Sequence, residues 1–268
     1  MTTGETAAAI ARDRLAFETS YRVRFDEAGP GGQLRTSGFM RYAQDVAWQH
    51  SAALGFGREW YAERGLTWLV RAAELEILAD VAMGEDLVAR TAVVGMRRVF
   101  ARRRGDFRRS DGTPIGWVNT DWVLIDARGA LTRLPAIFGE LFGAQDHSGL
   151  VGRLPLPTTP DGAERHRFRV RPHELDPMAH ANNAIYLDWL EESVLATGGP
   201  AGESAIRSTP RRYRMEFAMA AEPEAELEAA AWSADGVWSY RLTSGDGSID
   251  LYRGRLECAA TQESMETG

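Results

Sequence analysis

The sequence predicts an α+β fold in which one order of elements occurs twice. Each half begins with a short strand that leads through a loop into an amphipathic helix, and a run of strands follows. Turn pairs such as Asp111-Gly112 and Asp246-Gly247 separate neighbouring strands, as antiparallel hairpins require. A long antiparallel sheet wrapped around each helix buries the apolar faces of both elements. The predicted architecture is therefore two tandem domains, each a long helix wrapped by an antiparallel sheet.

Apolar spacing predicts the elements of the first half. A short strand is expected from Ser20 to Phe25, and helical periodicity predicts a helix from about Ser37 to Leu54. Alternating patterns then predict strands over Thr67 to Leu78, Asp86 to Arg97, Val99 to Arg109 and Ile115 to Asp126.

The second half repeats this order. A strand is expected from Arg165 to Arg171, and a helix from about Asn183 to Thr197 that stops at Gly198-Gly199-Pro200. The following strands are predicted over Arg211 to Met219, Glu224 to Ser233, Val237 to Ser244 and Ile249 to Cys258. The domains are accordingly placed at 17–142 and 165–260, joined by a Gly- and Pro-rich linker at 143–164, with loose ends at 1–15 and 260–268.

Composition limits the function classes before any motif is considered. The 268 residues carry a formal net charge of −7, which argues against nucleic acid as the main partner. No apolar run reaches the about 18 residues of a membrane helix, so no membrane association is expected. The single cysteine, Cys258, excludes an internal disulfide, and a reducing cytoplasm is the expected location. All 31 basic residues are arginine, which excludes a catalytic lysine.

The most informative motif lies in the loop before the second helix. Asp176 and His180 place a carboxylate and an imidazole close together, as an acid/base pair requires. The helix is predicted to begin at Asn182 or Asn183, and the N–H groups of its first turn can polarise a carbonyl group. The alternative interpretation is structural, with Asp176 capping the helix and His180 bridging the start of the helix and a strand. The remaining histidines show no metal-ligand spacing, so no metal site and no cofactor are expected.

A degenerate copy of this motif lies 147 positions earlier in the chain. Pro30 matches Pro177, but Gly29 stands at the position of Asp176 and Gln33 at the position of His180. The second half therefore keeps a titratable pair that the first half lacks.

On these residues the chain resembles the double-hotdog acyl-ACP thioesterases, a family of hotdog-fold thioesterases in bacteria and plastids. The resemblance extends from about Phe17 to Cys258. In the second half it is carried by the pattern Asp-x-x-x-His-x-Asn-Asn-x-x-Tyr at 176–186. In the first half it is carried by Arg41 to Gly57, Arg64 to Trp68 and Trp122 to Asp126.

The resemblance implies which residues form the site. The catalytic aspartate and histidine of the family fall on Asp176 and His180, and a further catalytic glutamate falls on Glu216. The chain departs from the family at Met178, where asparagine is frequent, and at Phe217, where plant members have cysteine. Substrate contacts are expected from Met178, Asn182, Asn183, Tyr186 and Trp68.

A dense basic segment accompanies the strands of the first half, between Arg97 and Arg109. Because side chains alternate along a strand, a solvated sheet face is one interpretation of these charges. The other is a docking surface for an acidic carrier protein or for the phosphates of a CoA arm. The contacts expected for such a surface are Arg102, Arg103 and Arg104.

The leading hypothesis is hydrolysis of an acyl thioester, with a fatty or related acyl group on acyl carrier protein (ACP). Asp176 or Glu216 would activate water with help from His180, and direct carboxylate attack through an anhydride is a competing route. The first half would open a pocket for the acyl chain. The alternatives are an acyl-CoA thioesterase of a specialised pathway and a non-catalytic acyl-binding protein, and a homodimer is compatible with all three.

Overall fold

The computed structural model describes residues 15–143 and 153–258, which form two compact units. The first unit takes the described residues up to Arg153 except 76–79, and the second takes 76–79 and the described residues from Leu154 onward. Part of the predicted linker at 143–164 lies outside the described residues. So do the predicted loose ends, apart from Leu15.

In the first unit a long helix packs against an antiparallel sheet. The elements are β1 (Phe17–Arg22), α1 (Thr36–Ala53), α2 (Arg58–Glu63), β2 (Leu66–Ile77), β3 (Asp86–Arg97), β4 (Phe100–Arg109), β5 (Pro114–Asp126) and α3 (Ala136–Phe142). The strands lie in the order β1, β3, β4, β5, β2. Phe39, Met40 and Val46 on α1 are at most 1% exposed, and the ring of Phe39 meets the ring of Phe107 edge-on at 5.3 Å. The apolar face of α1 therefore forms the core of this unit.

The second unit has the same organisation. Its elements are β6 (Arg165–Arg169), α4 (Ile185–Arg207), β7 (Arg211–Phe217), β8 (Glu226–Ala234), β9 (Val237–Ser244) and β10 (Asp250–Cys258). The strands lie in the order β7, β10, β9, β8, β6 and pair antiparallel. Tyr186 on α4 packs its ring on the rings of Phe217 and Tyr252 at 5.4 and 5.1 Å. These contacts attach the first turns of the helix to β7 and β10.

The hydrogen bonds of the two halves repeat at the offset found in the sequence. The Gly29 N–H donates to the carbonyl oxygen of Gln33 at 2.8 Å, and the Asp176 N–H donates to that of His180 at 2.8 Å. A helix side chain then binds a loop glutamate in each half, as Tyr42 with Glu27 and Trp189 with Glu174. The loop before each long helix thus has the same backbone path in both halves.

The predicted strands are confirmed, and β3 and β9 have the predicted bounds. The largest shift is in β1, which runs from Phe17 to Arg22 rather than from Ser20 to Phe25. Phe25 lies in a 3₁₀ turn after the strand, and its side chain is 85% exposed. The apolar character of Phe25 therefore did not indicate a strand residue.

The helices differ more from prediction. The prediction that the second helix begins at Asn182 or Asn183 is wrong, because α4 begins at Ile185. The predicted stop at Gly198-Gly199-Pro200 is confirmed as a break between two helical segments. Gly199 leaves helical geometry with φ 51° and ψ −128°, and a further helical segment continues to Arg207. Proline fits the first turn of that segment because its missing N–H is not needed there. The short helices α2 and α3 were not predicted.

Candidate active site

The Asp176–His180 loop is closed by the Asp176 carboxylate. Its Oδ1 accepts hydrogen bonds from the backbone N–H groups of Met178 at 2.8 Å and His180 at 3.3 Å. Such turns are typical of aspartate, which here caps its own loop rather than the helix. In the described part of the chain Oδ2 has no hydrogen bond, so one carboxylate oxygen is fixed and the other is available.

His180 lies beside a second carboxylate. Its Nε2 is 3.8 Å from Oε1 of Glu222, and the side chains are 33% and 67% exposed. Glu222 follows strand β7 and was not identified from the sequence. The motif therefore brings together an aspartate, an imidazole that water can reach and a glutamate from another loop.

Tyr186 connects these two loops. Its hydroxyl oxygen accepts a hydrogen bond from the Ala221 N–H at 2.9 Å, and the Ala181 N–H donates to the Ala221 carbonyl oxygen at 3.1 Å. Burial raises the pKa of Tyr186 to about 12, and the charges of Asp176 and Glu222 act in the same direction. Tyr186 therefore stays neutral and holds Glu222 next to the motif loop.

The two asparagines of the motif differ in their contacts. Oδ1 of Asn182 accepts the N–H of Ala184 at 2.9 Å, and its backbone carbonyl accepts the N–H of Ile185 at 2.9 Å. These bonds explain the late start of α4, and they use N–H groups that the sequence predicted to be free. Asn183 lies in the same turn and is partly exposed.

The remaining predicted substrate contacts lie in different surroundings. Met178 is 44% exposed in the motif loop, where its backbone N–H binds Asp176. Trp68 belongs to the first unit, where its ring stacks on Phe138 at 6.2 Å. Phe138 also meets the rings of Phe56 and Trp60 at 4.9 and 5.6 Å. Phe56, Trp60, Trp68 and Phe138 thus form one aromatic cluster, and all four belong to the first half of the sequence, whereas the motif loop belongs to the second.

Glu216 is not brought to Asp176 and His180 by any contact among residues 15–143 and 153–258. It is 9% exposed, and its carboxylate binds Nη1 of Arg253 at 3.0 and 3.2 Å. Its Oε2 also accepts the N–H of Leu154 at 2.7 Å. Because Phe217 packs on α4, alternation along β7 turns Glu216 to the other face of the sheet. These surroundings are those of a buried structural ion pair.

The arginines at 102–104 each have a partner within the first unit. Arg102 forms a two-point ion pair with Asp121 at 2.5 and 2.6 Å. Arg104 binds Asp106 at 2.7 Å and covers the ring of Trp117. Ion pairs within the unit thus occupy the guanidinium groups of Arg102 and Arg104, and their expected role in carrier binding stays a prediction.

Arg103 is the inward-facing member of this group. Its Nη1 lies 2.9 Å from Nδ1 of His50 on α1, and His50 is 2% exposed. Since a guanidinium only donates hydrogen bonds, Nδ1 of His50 must be the acceptor. Burial first, and the Arg103 charge second, lower the pKa of His50 to about 4. His50 is consequently neutral near pH 7.

The first half shows what the same loop looks like without these groups. Gly29 and Gln33 occupy the positions of Asp176 and His180, on an equivalent backbone. The first unit therefore has no carboxylate or imidazole at these two positions. Groups of three or more His, Cys, Asp or Glu side chains that could hold a metal ion are absent from the described residues.

A carboxylate with one free oxygen, in the same loop as an imidazole, is suited to general-base activation of water. An antiparallel sheet packed on a long helix, with this loop at the start of the helix, defines the protein as a thioester hydrolase with a hotdog-like fold. Comparisons with known proteins agree with this class and specify it further.

Two family models match the chain. The acyl-ACP thioesterase N-terminal domain matches residues 14–135, and the acyl-ACP thioesterase C-terminal domain matches residues 158–197. Together they match more than half of the sequence. The chain belongs to the acyl-ACP thioesterase family and is accordingly a hydrolase of acyl thioesters.

Solved structures show the same fold. An acyl-ACP thioesterase from Bacteroides thetaiotaomicron is 14% identical with a TM-score of 0.76, covering 92% of this chain and 98% of its own. A 12:0-ACP thioesterase from Umbellularia californica is 20% identical with a TM-score of 0.73, covering 91% of this chain and 96% of its own.

No curated protein sequence matches the chain. No helix in the described part of the chain is long and apolar enough to span a membrane.

Proposed function

We propose that the chain hydrolyses acyl-ACP in its second unit, with Asp176 as the general base and His180 as its partner. The observation that carries this proposal is the state of the Asp176 carboxylate. Oδ1 is held by two backbone N–H groups, and Oδ2 is available to a water molecule. The equivalent loop of the first half has neither side chain, which argues against a purely structural reason for the pair.

The proposed reaction uses water as the nucleophile. Asp176 takes a proton from water while the water oxygen forms a bond to the thioester carbonyl carbon. Protonated His180 donates a hydrogen bond to the carbonyl oxygen, where negative charge develops. The adduct collapses by breaking the C–S bond, and the departing thiolate takes a proton from His180. The proton on Asp176 then restores His180, which leaves a carboxylic acid and a thiol.

Direct attack by Asp176 on the carbonyl carbon is the competing route. It would release the thiol and leave a mixed anhydride that water then hydrolyses. A single turnover in ¹⁸O-labelled water can identify direct attack by Asp176. An unlabelled acid together with labelled Asp176 would favour direct attack, whereas attack by water puts the label in the acid.

We also propose that the two units are tandem hotdog domains, corresponding to 17–142 and 165–260 with a linker between them. The proposal is supported by the repeated order of elements and by the hydrogen bonds that recur at the same offset. The first domain, without a titratable pair, would then be free to accommodate the acyl chain. The aromatic cluster of Phe56, Trp60, Trp68 and Phe138 is our candidate for a wall of that pocket.

A second set of arginines offers guanidinium groups for contacts with the carrier. Arg102, Arg103 and Arg104 are used inside the first unit, so we propose that carrier contacts fall on Arg97 and Arg98 at the turn after β3. Both are exposed, and neither has an ion-pair partner among the described residues. A free guanidinium favours the carboxylates or phosphates of an acidic carrier. Activity on acyl-CoA, assembly as a homodimer and a cytoplasmic location remain predictions from the sequence.

A matched pair of variants tests the placement of the site. His180→Ala should lower kcat on acyl-ACP by about 10²-fold or more, because it removes a positioned acid. Gln33→Ala changes the equivalent position of the first half and should leave kcat within about two-fold of the wild type. Equal activity of both variants, or a loss confined to Gln33→Ala, would place the chemistry outside the second unit.

A further inference from the structure

We propose that Glu222 is a positioning residue for His180, an inference that rests on the role proposed above for that histidine. Oε1 of Glu222 lies 3.8 Å from Nε2 of His180. A carboxylate at this distance attracts a protonated imidazole and orients its Nε2–H toward Glu222. The remaining Nδ1–H is then the one that can donate to the thioester carbonyl and to the departing thiolate.

The backbone holds Glu222 in this place. Ala221, the preceding residue, donates its N–H to the hydroxyl of Tyr186 and accepts the N–H of Ala181. Ala181 is in turn the residue that follows His180. One hydrogen bond therefore connects the neighbour of His180 to the neighbour of Glu222, and a second attaches Ala221 to Tyr186. The separation of the imidazole and the carboxylate thus does not depend on exposed side chains alone.

The first unit has the same backbone connection without the charged residues. The Leu34 N–H donates to the Val81 carbonyl oxygen at 2.8 Å, as the Ala181 N–H does to that of Ala221. A second pair of bonds, from Val23 to Glu85 and from Val170 to Ala225, gives the same correspondence. Ala82 is accordingly the equivalent of Glu222.

This correspondence tests whether the loop needs a glutamate at position 222 in order to fold. Gln33 and Ala82 form an isolated β-bridge at the positions of His180 and Glu222. The loop therefore folds with alanine at this position, and no carboxylate is needed for its path. The glutamate occurs in the unit that has the imidazole and is replaced in the unit that lacks it. Glu216, by contrast, is fully used by Arg253 and Leu154.

The test compares Glu222→Gln with Glu224→Gln on a short acyl-pantetheine ester, which needs no carrier contact. Glu224 is a matched control, since it is 64% exposed and pairs with Arg169 rather than with His180. Both substitutions remove one exposed negative charge and should leave the melting temperature unchanged. For Glu222→Gln we expect kcat/KM to fall roughly 2- to 5-fold at neutral pH, the effect of a partly exposed ion pair.

The salt profile of kcat/KM provides the readout that a structural role would not change. Salt screens an ion pair between partly exposed groups such as His180 and Glu222. The difference in kcat/KM between the wild type and Glu222→Gln should therefore shrink as the ionic strength is raised. Glu222→Asp should restore most of the wild-type profile, and Glu224→Gln should not alter it.

Two results would separate the inference from the proposed function. If Glu222→Gln and Glu224→Gln have identical rates and profiles while His180→Ala is inactive, the role of Glu222 is wrong and the site stands. If His180→Ala keeps wild-type activity, the proposed function itself fails. A profile that moves equally in both glutamine variants would indicate a general charge effect and would also overturn the inference.

Discussion

At the scale of single residues, His50 makes stability depend on pH. Its imidazole is buried against Arg103, and its pKa is lowered from 6.5 to about 4. Between these values the unfolded chain binds a proton that the folded chain does not bind. The stability is therefore fully present above pH 6.5 and is lost as the pH falls toward 4.

We expect His50 to contribute about 2 kcal/mol to the loss of unfolding free energy between pH 7.5 and pH 5. Urea unfolding at both pH values measures this loss. His50→Gln keeps an acceptor for Arg103 without a titratable group, and should show a correspondingly smaller loss. His173→Gln, at an exposed histidine, is the control and should behave as the wild type. An unchanged loss in His50→Gln would contradict the assignment.

Glu216 is expected to matter for stability more than for chemistry. Glu216→Gln removes a buried charge from Arg253 but leaves that arginine its second partner, Asp250. The free energy of unfolding should fall by about 1–3 kcal/mol, the cost of a weakened buried polar contact. The kcat of the folded variant should stay within about three-fold of the wild type. A kcat loss of 10²-fold without destabilisation would restore Glu216 to the catalytic group.

At the residue scale, a short motif was sufficient to place two of the candidate site residues in one loop. Asp176 and His180 are four positions apart in one loop, so local spacing indicated their proximity. Glu222 comes from a different loop, and only the hydrogen bonds of Ala221 reveal where it lies. The available signal was the alignment of Glu222 with Ala82. Finding that alignment requires knowing that the sequence offset between the two halves changes after the long helix.

At the scale of elements, the motif loop carries local strain. Ala179 has a left-handed φ of 60°, whereas the equivalent residue of the first half is Gly32 with φ 77°. This conformation costs an L-residue about 1 kcal/mol or more relative to glycine. The loop with the titratable pair is thus the one that keeps the less favourable residue.

Reciprocal substitutions test this strain. Ala179→Gly should raise the free energy of unfolding by up to about 1 kcal/mol, and Gly32→Ala should lower it by about 1 kcal/mol. A Cβ atom at Gly32 would meet no other atom within 4 Å, so the second change reports backbone strain alone. Thermal unfolding of both variants measures the effects. Changes of the same sign in the two variants would contradict the assignment.

Element prediction was accurate for strands because their alternation is strong. Helix ends were less predictable, since side-chain bonds decide them. Asn182 caps Ala184 and delays the start of α4, although asparagine at that position also suits a helix N-terminus. Likewise, Gly199-Pro200 is typical of a helix end, but the proline begins a further helical segment. Such choices depend on contacts that periodicity does not contain.

At the scale of the whole molecule, the chain and an acidic carrier would repel each other unless a local basic surface opposes the net charge of −7. Arg97→Ser with Arg98→Ser should raise KM for acyl-ACP several-fold at low salt, and less at high salt because exposed charges are screened. Hydrolysis of a pantetheine ester should not change. Arg24→Ser, at an exposed arginine paired with Asp26, is the control. Equal losses on both substrates would contradict a carrier surface.

The assignment of the general base is tested most sharply by the turnover number of Asp176→Asn on acyl-ACP. Asparagine keeps an oxygen for the N–H groups of Met178 and His180, so the loop should fold as in the wild type. If Asp176 activates water, kcat should fall by roughly 10²–10⁴-fold, with an unchanged melting temperature. Near wild-type turnover by this folded variant would contradict the assignment of the general base to Asp176.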